Sequence, residues 1–281
     1  MYTKIVLAVF LIVLFNAYMR GSAMGQEKNF SYEDYASVLK NYVDDSGMVD
    51  YRGLKTNRDK LDNFAVNLNL VSPQVFEKWD KKAQTAFWIN AYNALTLKAV
   101  IDHYPIKSYF VTSLVYPKNS IRQISGVWDT ITFQVMGKPM TLDEIEHEQL
   151  RKHYNEPRIH MAIVCAAMGC PPLRNEPYTA DRLDSQLDDE AQRFLANPEK
   201  FHAAPEKKTI FLSPVFQWFG KDFVNSYNPS GKSGKYSTEQ RAVLNFISKY
   251  VDSETKSFIS EENFAIQFLK YDWSLNEKQS S

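Results

Sequence analysis

The stretch HMAIVCAAMGCPPLR, residues 160–174, gathers a histidine, two cysteines and a proline pair in one short run. Cys165 and Cys170 are the two cysteines of the 281-residue chain. Three chemistries suit such a pair: a disulfide, a metal site, or a thiol nucleophile beside a base. Each of them makes a different demand on the residues around it.

A disulfide would close a small loop, which the chain-entropy relation values at about 2 kcal/mol. A metal would need four ligands. His147 and His160 could complete such a set with the two cysteines, but the spacing matches no standard zinc motif. We therefore expect no metal and no other cofactor.

A nucleophile at Cys165 would need a lowered thiol pKa and a base. His147 and His160 are the candidate bases, and Asn90 or Glu146 could orient the imidazole. A histidine nitrogen within about 4 Å of an accessible Cys165 sulfur would favour an enzyme. A buried Cys165 bonded to Cys170 would exclude it.

The pattern DKKAQTAFWINAYNALTLKAVIDHYP predicts a long helix from about Pro73 to His103. Asn90 and Asn93 fall on its apolar stripe, and Tyr92 falls off that stripe. Amides that face a core must be hydrogen-bonded, so the asparagines either bind backbone and fix the register or line a polar site. In the second case, Asn90→Leu would impair activity before it impairs stability.

A second helix begins at TLDEIEHEQLRKH, where Thr141 and Glu144 form a capping-box pattern. Glu146 projects within the inward face of this helix, and His147 lies at its flank. A buried carboxylate needs a partner, and the available candidates are Arg151, Arg158 and His160. Glu146 would then serve either a structural ion pair or the polarisation of a histidine or substrate amine.

The run RIHMAIV, residues 158–164, predicts a short buried strand that leads into Cys165. Catalytic groups are often held by such rigid elements yet open to solvent. A hairpin around Gly137-Lys138 and later strands would complete one small sheet. The expected fold class is α+β, a helix-rich single domain around a small, mostly antiparallel sheet.

The N-terminal segment has the layout of a secretory signal peptide. Lys4 precedes an apolar run from Ile5 to Phe15, and small residues follow, so residues 1–25 would be removed after Ala23 or Gly25. An uncleaved anchor is the alternative, and N-terminal sequencing of the exported protein distinguishes the two. We expect a periplasmic or secreted domain over residues 26–281, with no stable membrane span once the signal is removed.

The charge balance limits the classes of partner. Lysine plus arginine equal aspartate plus glutamate, so the net charge is 0, and loss of Lys4 and Arg20 with the signal peptide leaves −2. Such a chain is not basic enough to suggest nucleic-acid binding. A small-molecule or peptide substrate is the expected partner.

Several blocks of the chain resemble the domain of unknown function 547 family, and the chain would be an exported bacterial member. The blocks occur in order over about residues 30–275: YVDDSGMVDYRGL, AFWINAYNALTL, LDEIEHEQLR, RIHMAIVCAAMGCPPLR followed by EPY, and FLKYDWSLN. The resemblance implies a single domain but no established reaction, substrate or fold. It also implies one shared constellation, formed by Asn90, Asn93, Glu146, His147, His160 and Cys165. Plant-type members of the family carry serine at the position of Cys170, which implies that Cys165 is the more significant thiol and that the disulfide is not obligatory.

The preferred hypothesis is a thiol-dependent hydrolase or transferase that acts on amide or thioester bonds. Its catalytic candidates are Cys165, His147, His160, Glu146 and Asn90, and its binding candidates are Asn93, Tyr92, Arg158 and Cys170. The rival hypothesis is a non-catalytic envelope protein, either structural or ligand-binding, in which Cys165 and Cys170 form a disulfide.

Overall fold

The computed structural model describes residues 30–227 and 234–279. The expected signal peptide and its cleavage site lie outside the described residues. Helices form most of the regular structure, and the described residues from Tyr32 onward form one compact unit. The α-helices of this unit are Glu33–Tyr42 (α1), Tyr51–Thr56 (α2), Asp59–Leu70 (α3), Pro73–Phe76 (α4), Lys81–His103 (α5), Phe110–Ser113 (α6), Leu183–Ala196 (α7), Pro214–Trp218 (α8), Thr238–Tyr250 (α9) and Ser253–Ser260 (α10).

The strands form two separate small sheets rather than the single sheet that we predicted. Their bounds are Phe133–Val135 (β1), Lys138–Met140 (β2), Phe201–Ala204 (β3), Thr209–Leu212 (β4) and Ala265–Phe268 (β5). The β1–β2 hairpin is confirmed, and its turn residues Met136 and Gly137 both have positive φ, as tight hairpin turns require. In the other sheet β4 pairs antiparallel with β3 and parallel with β5. The helix-rich α+β class is confirmed.

The long helix α5 lies at the centre of the fold. Every residue from Gln84 to Leu97 is buried, so the helix is covered on all sides rather than along one stripe. It begins at Lys81 and not near Pro73, because the Asp80 side chain accepts a hydrogen bond from the Ala83 N–H and caps a new helix there.

The prediction of a strand at residues 158–164 is wrong. A 3-10 helix spans Pro157–Met161, and its N-cap Glu156 accepts a hydrogen bond from the Arg158 N–H. A proline at the first helical position favours this start. The helix predicted from Thr141 does form with its capping box, but Glu144–Arg151 has π-helical hydrogen bonding. Such i→i+5 turns occur frequently at functional sites.

Aromatic residues near residue 220 pack into the core and thereby fix the position of one adjacent polar residue, Asp222. Phe223 is fully buried in the 3-10 helix Gly220–Phe223, where it packs against Phe216 and Phe246. Asp222, the preceding residue, therefore has a fixed position at the edge of this cluster. Among the described residues, no helix combines the length and apolar character needed to cross a membrane.

Candidate functional site

Asn93 of α5 positions the chain that leads into Cys165. Its side-chain N–H donates to the carbonyl of Ala162 at 2.9 Å, and its side-chain oxygen accepts from the N–H of Val164 at 2.8 Å. The two bonds hold residues 162–164 irregular and buried, because the side chain replaces the partners that a neighbouring strand would supply. Asn93 is therefore a clamp on the cysteine segment and does not line the cavity beside it.

Cys165 and Cys170 are joined by a disulfide. Ala166 adopts φ of 58° immediately after Cys165, which lets the chain turn back within the loop. The hydroxyl of Tyr271 lies 3.3 Å from the Cys165 sulfur and 3.1 Å from the Cys170 sulfur. Cys170 is buried, whereas Cys165 is only half-buried. A nucleophilic Cys165 would be excluded if it were both bonded to Cys170 and buried, and only the first of these conditions is met.

A cavity of about 210 Å³ lies beside the disulfide. It brings together six of the residues that the sequence singled out, namely Tyr92, Glu146, His147, His160, Cys165 and Cys170. Aromatic side chains from distant parts of the chain form much of the remaining wall, including Trp128, Trp218, Phe219, Tyr271 and Trp273. A mixed wall of aromatic and a few titratable groups is typical of small-molecule sites.

Asn90 and Arg158 do not line this cavity. Asn90 forms a two-bond clamp like that of Asn93, but on the backbone N–H and carbonyl of Tyr178, at 2.9 and 2.8 Å. Arg158 pairs with Glu156, Asp184 and Asp188 in a separate ion network. Their contacts are those of residues that hold elements together.

His160 is paired with Asp222, a residue that the sequence did not single out. The Nε2 atom of His160 lies 2.8 Å from the Asp222 carboxylate, and Phe219 stacks on the imidazole at 4.2 Å between ring centres. The same carboxylate accepts two hydrogen bonds from Arg151, at 2.6 and 3.1 Å. Partial burial acts to raise the pKa of Asp222, but the hydrogen bonds from His160 and Arg151 outweigh it and hold that pKa well below its usual range.

The ionised carboxylate fixes the protonation of His160. A carboxylate can only accept, so Nε2 carries the proton and Nδ1 keeps a free lone pair. Nδ1 is buried and has no hydrogen-bond partner among the described residues. Burial also lowers the pKa of His160, against the opposing effect of Asp222. His160 is therefore neutral near pH 7, with an unused basic nitrogen.

His147 has the opposite arrangement. Its Nδ1 accepts a hydrogen bond from Arg151 at 2.7 Å, so the proton of the neutral ring is on Nε2. Burial, followed by the nearby charge of Arg151, lowers its pKa. His147 can thus donate a hydrogen bond in the cavity, while its lone pair is already occupied. Of the two candidate bases, the geometry favours His160.

Glu146 lies in the cavity wall and is hydrogen-bonded by the hydroxyl of Tyr92. Burial raises its pKa to about 7, although the Tyr92 hydrogen bond and the charge of Arg151 lower it in part. The pair that we expected between Glu146 and an arginine or histidine is replaced by this contact with a tyrosine of α5. A carboxyl group with this pKa can exchange a proton near neutral pH.

Glu146→Gln is expected to stabilise the protein above pH 7 by up to about 3 kcal/mol, because each pKa unit is worth about 1.4 kcal/mol. Between pH 4.5 and about 7 the folded protein keeps a proton that the unfolded chain releases, so native stability falls as pH rises through this window. Glutamine removes this titration, and the variant should match the native protein at pH 4. Urea unfolding at pH 4, 6 and 8 measures the difference.

Glu148→Gln is the matched control for this prediction. Glu148 belongs to the same helix, but its side chain is 56% exposed and pairs with Lys152 at the surface. Its replacement should change stability by a few tenths of a kcal/mol only, as for other exposed pairs. A difference between Glu146→Gln and native protein that stays constant with pH would mean that Glu146 titrates normally.

Sequence reasoning missed Asp222 and most of the aromatic wall. Asp222 lies in the aromatic run FQWFGKDF, which is a weak signal because such runs usually indicate core. Tyr271 and Trp273 belong to the block FLKYDWSLN, and no feature of this block in the sequence indicates a contact with the cysteines about 100 residues earlier. In the part of the chain that the structure describes, no group of three or more histidine, cysteine or acidic side chains is arranged to hold a metal ion.

Comparison with known proteins identifies the family of the central region. Residues 76–195 match the family described as "Protein of unknown function, DUF547". This region contains α5, the π-helix and the cysteine segment, but not Asp222, Tyr271 or Trp273. No curated protein and no solved structure matches the chain. The central region of the chain, residues 76–195, is therefore similar to the domain of unknown function 547 family.

Proposed function

We propose that the protein is a thiol-dependent hydrolase or acyltransferase that acts on amide or thioester bonds, with Cys165 as nucleophile. The observation that carries the proposal is the His160–Asp222 pair. Its Nδ1 is buried and has no hydrogen-bond partner among the described residues, the Cys165 sulfur included, and His160 and Cys165 both line the same cavity. A base held by a third group beside a thiol is the arrangement that nucleophilic cysteine catalysis needs.

Reduction would be the first requirement, because a sulfur bonded to Cys170 cannot attack a carbonyl. A dithiol reductant would give two electrons and two protons to the disulfide and would itself become a disulfide. Cys165 and Cys170 would then be thiols, and the Cys165 side chain would be free to rotate within the cavity. An exported location is also part of the proposal, supported by the N-terminal pattern and by the disulfide, which forms in oxidising compartments.

In the reduced protein, Nδ1 of His160 takes the proton of the Cys165 thiol. The thiolate attacks the carbonyl carbon, a C–S bond forms, and the leaving amine or thiol departs with the proton from Nδ1. Water or a second nucleophile then breaks the thioester and frees Cys165. Asp222 stabilises the imidazolium through its bond to Nε2. Asn90 and Arg158 have no part in this scheme, and Asn93 acts by holding the cysteine segment.

Alkylation of the purified mature protein by iodoacetamide at pH 6 tests the proposal. Untreated protein should not react. After reduction by dithiothreitol, Cys165 should react at least about tenfold faster than Cys170, since an activated thiol has its pKa lowered from about 8.5 to below about 7.5. Cys170→Ser should react at Cys165 without reductant. Equal, slow reaction of both cysteines in the reduced protein would contradict a nucleophilic role.

A non-catalytic ligand-binding protein is the second candidate, and the disulfide itself favours it. The Tyr271 hydroxyl contacts both sulfurs, as it would in a permanent structural link. In that case Cys165→Ala and Cys170→Ser should destabilise the protein equally, by up to about 2 kcal/mol. Thermal melts of the two variants, together with equal and slow alkylation of both cysteines after reduction, identify this outcome, since the disulfide of untreated protein is expected under both candidates.

A further inference from the structure

A second, larger cavity of about 680 Å³ adjoins the one beside the disulfide. Arg122, Trp128 and Asp143 line both cavities, so these side chains form the junction between them. The larger cavity has room for a ligand of several residues, since small-molecule sites usually measure roughly 300–1,000 Å³. A substrate whose reactive carbonyl lay beside Cys165 would extend past Arg122 into this space.

Arg122 is held at the junction by aromatic rings. Its guanidinium carbon lies 4.5 Å from the ring centre of Tyr116, 5.2 Å from that of Trp128 and 5.1 Å from that of Trp273. One guanidinium N–H donates to the Tyr116 hydroxyl at 2.8 Å. Such contacts fix the plane of the guanidinium and do not neutralise its charge.

Arg122 differs in its pairing from most arginines of the fold. Six others each contact at least one carboxylate: Arg58, Arg151, Arg158, Arg174, Arg182 and Arg193. Across residues 30–227 and 234–279, no carboxylate oxygen lies within 4.0 Å of the Arg122 guanidinium. Most of its N–H donors are therefore available to a bound molecule, and the two-pronged geometry of a guanidinium matches a carboxylate.

The rings around Arg122 also connect it to the sulfur site. Trp273 contacts the guanidinium on one side and the ring of Tyr271, at 4.6 Å between centres, on the other. The Tyr271 hydroxyl in turn contacts both sulfurs. One pair of aromatic rings, Trp273 and Tyr271, thus lies between the Arg122 guanidinium and the proposed nucleophile.

We propose that Arg122 binds a carboxylate of the substrate, and that the substrate is a short peptide that carries this carboxylate. The inference rests on the proposed function for the location of the reacting carbonyl. Asp129 and Asp143 line the larger cavity and face the same space, so a dianionic ligand is disfavoured. A peptide with one carboxylate and otherwise neutral or cationic groups complements both the positive charge of Arg122 and the negative charges of Asp129 and Asp143.

Binding to the oxidised protein tests this site without any cysteine chemistry. The probes are N-acetyl-dialanine, its C-terminal amide, and N-acetyl-alanyl-glutamate amide, which has a side-chain carboxylate alone. Fluorescence of Trp128 and Trp273 reports binding, since both rings contact Arg122. We expect the free acid to bind about tenfold more tightly than its amide, which is the lower end for hydrogen bonds to charged groups.

Variants of Arg122 decide whether the preference comes from this residue. Arg122→Gln should bind acid and amide equally, and Arg122→Lys should keep part of the preference. Arg182→Gln, at an exposed arginine that lines neither cavity, should keep all of it. Thermal melts of each variant confirm that it is folded.

The outcomes separate the site from the catalytic proposal. Tighter binding of the glutamate probe than of dialanine would assign the carboxylate to a side chain rather than to a peptide C-terminus. Equal affinity of acid and amide in the native protein, or a preference that survives in Arg122→Gln, overturns the inference. An unreactive Cys165 in the alkylation test, together with Arg122-dependent binding, would exclude the proposed enzymatic activity and retain the carboxylate-binding site.

Discussion

Asp222→Asn is expected to slow the acylation of Cys165 by about 10²- to 10⁴-fold, the range usual for loss of a positioned base. One carboxylate oxygen of Asp222, Oδ2, accepts from both Nε2 of His160 and Nε of Arg151, and Oδ1 accepts from a second N–H of Arg151. Asparagine has a single acceptor oxygen, so its N–H₂ must oppose at least one of these donors. It also carries no negative charge, so the imidazolium that forms at His160 loses the carboxylate that stabilises it.

The measurement is best made in a Cys170→Ser background, where Cys165 is a free thiol without any reductant. p-Nitrophenyl acetate transfers its acetyl group to Cys165 and releases p-nitrophenolate, which is followed by absorbance. Mass spectrometry of the peptide confirms the acetylated residue. Asp184→Asn is the matched control, because Asp184 also pairs with an arginine but lies outside the cavity.

A second variant protects this prediction against a simple loss of folding. His160→Gln keeps the Asp222–Arg151 pair, which contributes to stability, and should slow acylation as much as Asp222→Asn. His147→Gln should slow it far less than His160→Gln, since the His147 lone pair is already occupied by Arg151. Native rates in both Asp222→Asn and His160→Gln would show that this pair is not the base.

Asn93→Leu is expected to reduce the free energy of unfolding by about 2–6 kcal/mol, because it leaves one buried N–H and one buried carbonyl unpaired at about 1–3 kcal/mol each. The groups concerned are the N–H of Val164 and the carbonyl of Ala162. Loss of the clamp also releases the segment that positions Cys165. The variant should therefore lose stability and cysteine reactivity together.

Asn90→Leu provides an unusually close comparison for Asn93→Leu. The two asparagines lie three residues apart on α5, are equally buried, and each binds one backbone N–H and one carbonyl. Asn90 binds Tyr178, however, and not the cysteine segment. Its replacement should cost similar stability but leave the acylation rate of the folded fraction near that of the background protein.

Urea unfolding and acylation under native conditions separate the two asparagines. Equal loss of Cys165 reactivity in both variants would mean that global destabilisation, and not the local clamp, controls the cysteine. Unchanged reactivity in Asn93→Leu would remove Asn93 from the positioning of Cys165. Each result can be read in folded protein, because acylation is measured well below the unfolding transition.

The sequence was sufficient where the deciding interactions are local. Thr141 and Glu144 lie three residues apart at the start of the helix, and the side chain of each accepts a hydrogen bond from the backbone N–H of the other, so their pattern could be recognised directly. The β1–β2 hairpin likewise depends on one turn, at Met136 and Gly137. The cysteines, histidines and Glu146 could be proposed as one site only through the resemblance to the domain of unknown function 547 family, because their spacing along the chain does not show that they converge.

Only the tertiary structure determines the conformation of the segment that precedes Cys165 and the identity of the distant residues that contact the site. RIHMAIV has strand-forming composition, but Asn93 supplies the hydrogen bonds of residues 162 and 164 from a distant helix, so no neighbouring strand is needed. Asp222 reaches His160 across 62 residues because Phe223 is buried in the core beside it. A local sequence pattern predicts the hydrogen bonds within one segment. The contacts of Asn93 and Asp222, in contrast, depend on which distant segments the hydrophobic core brings together.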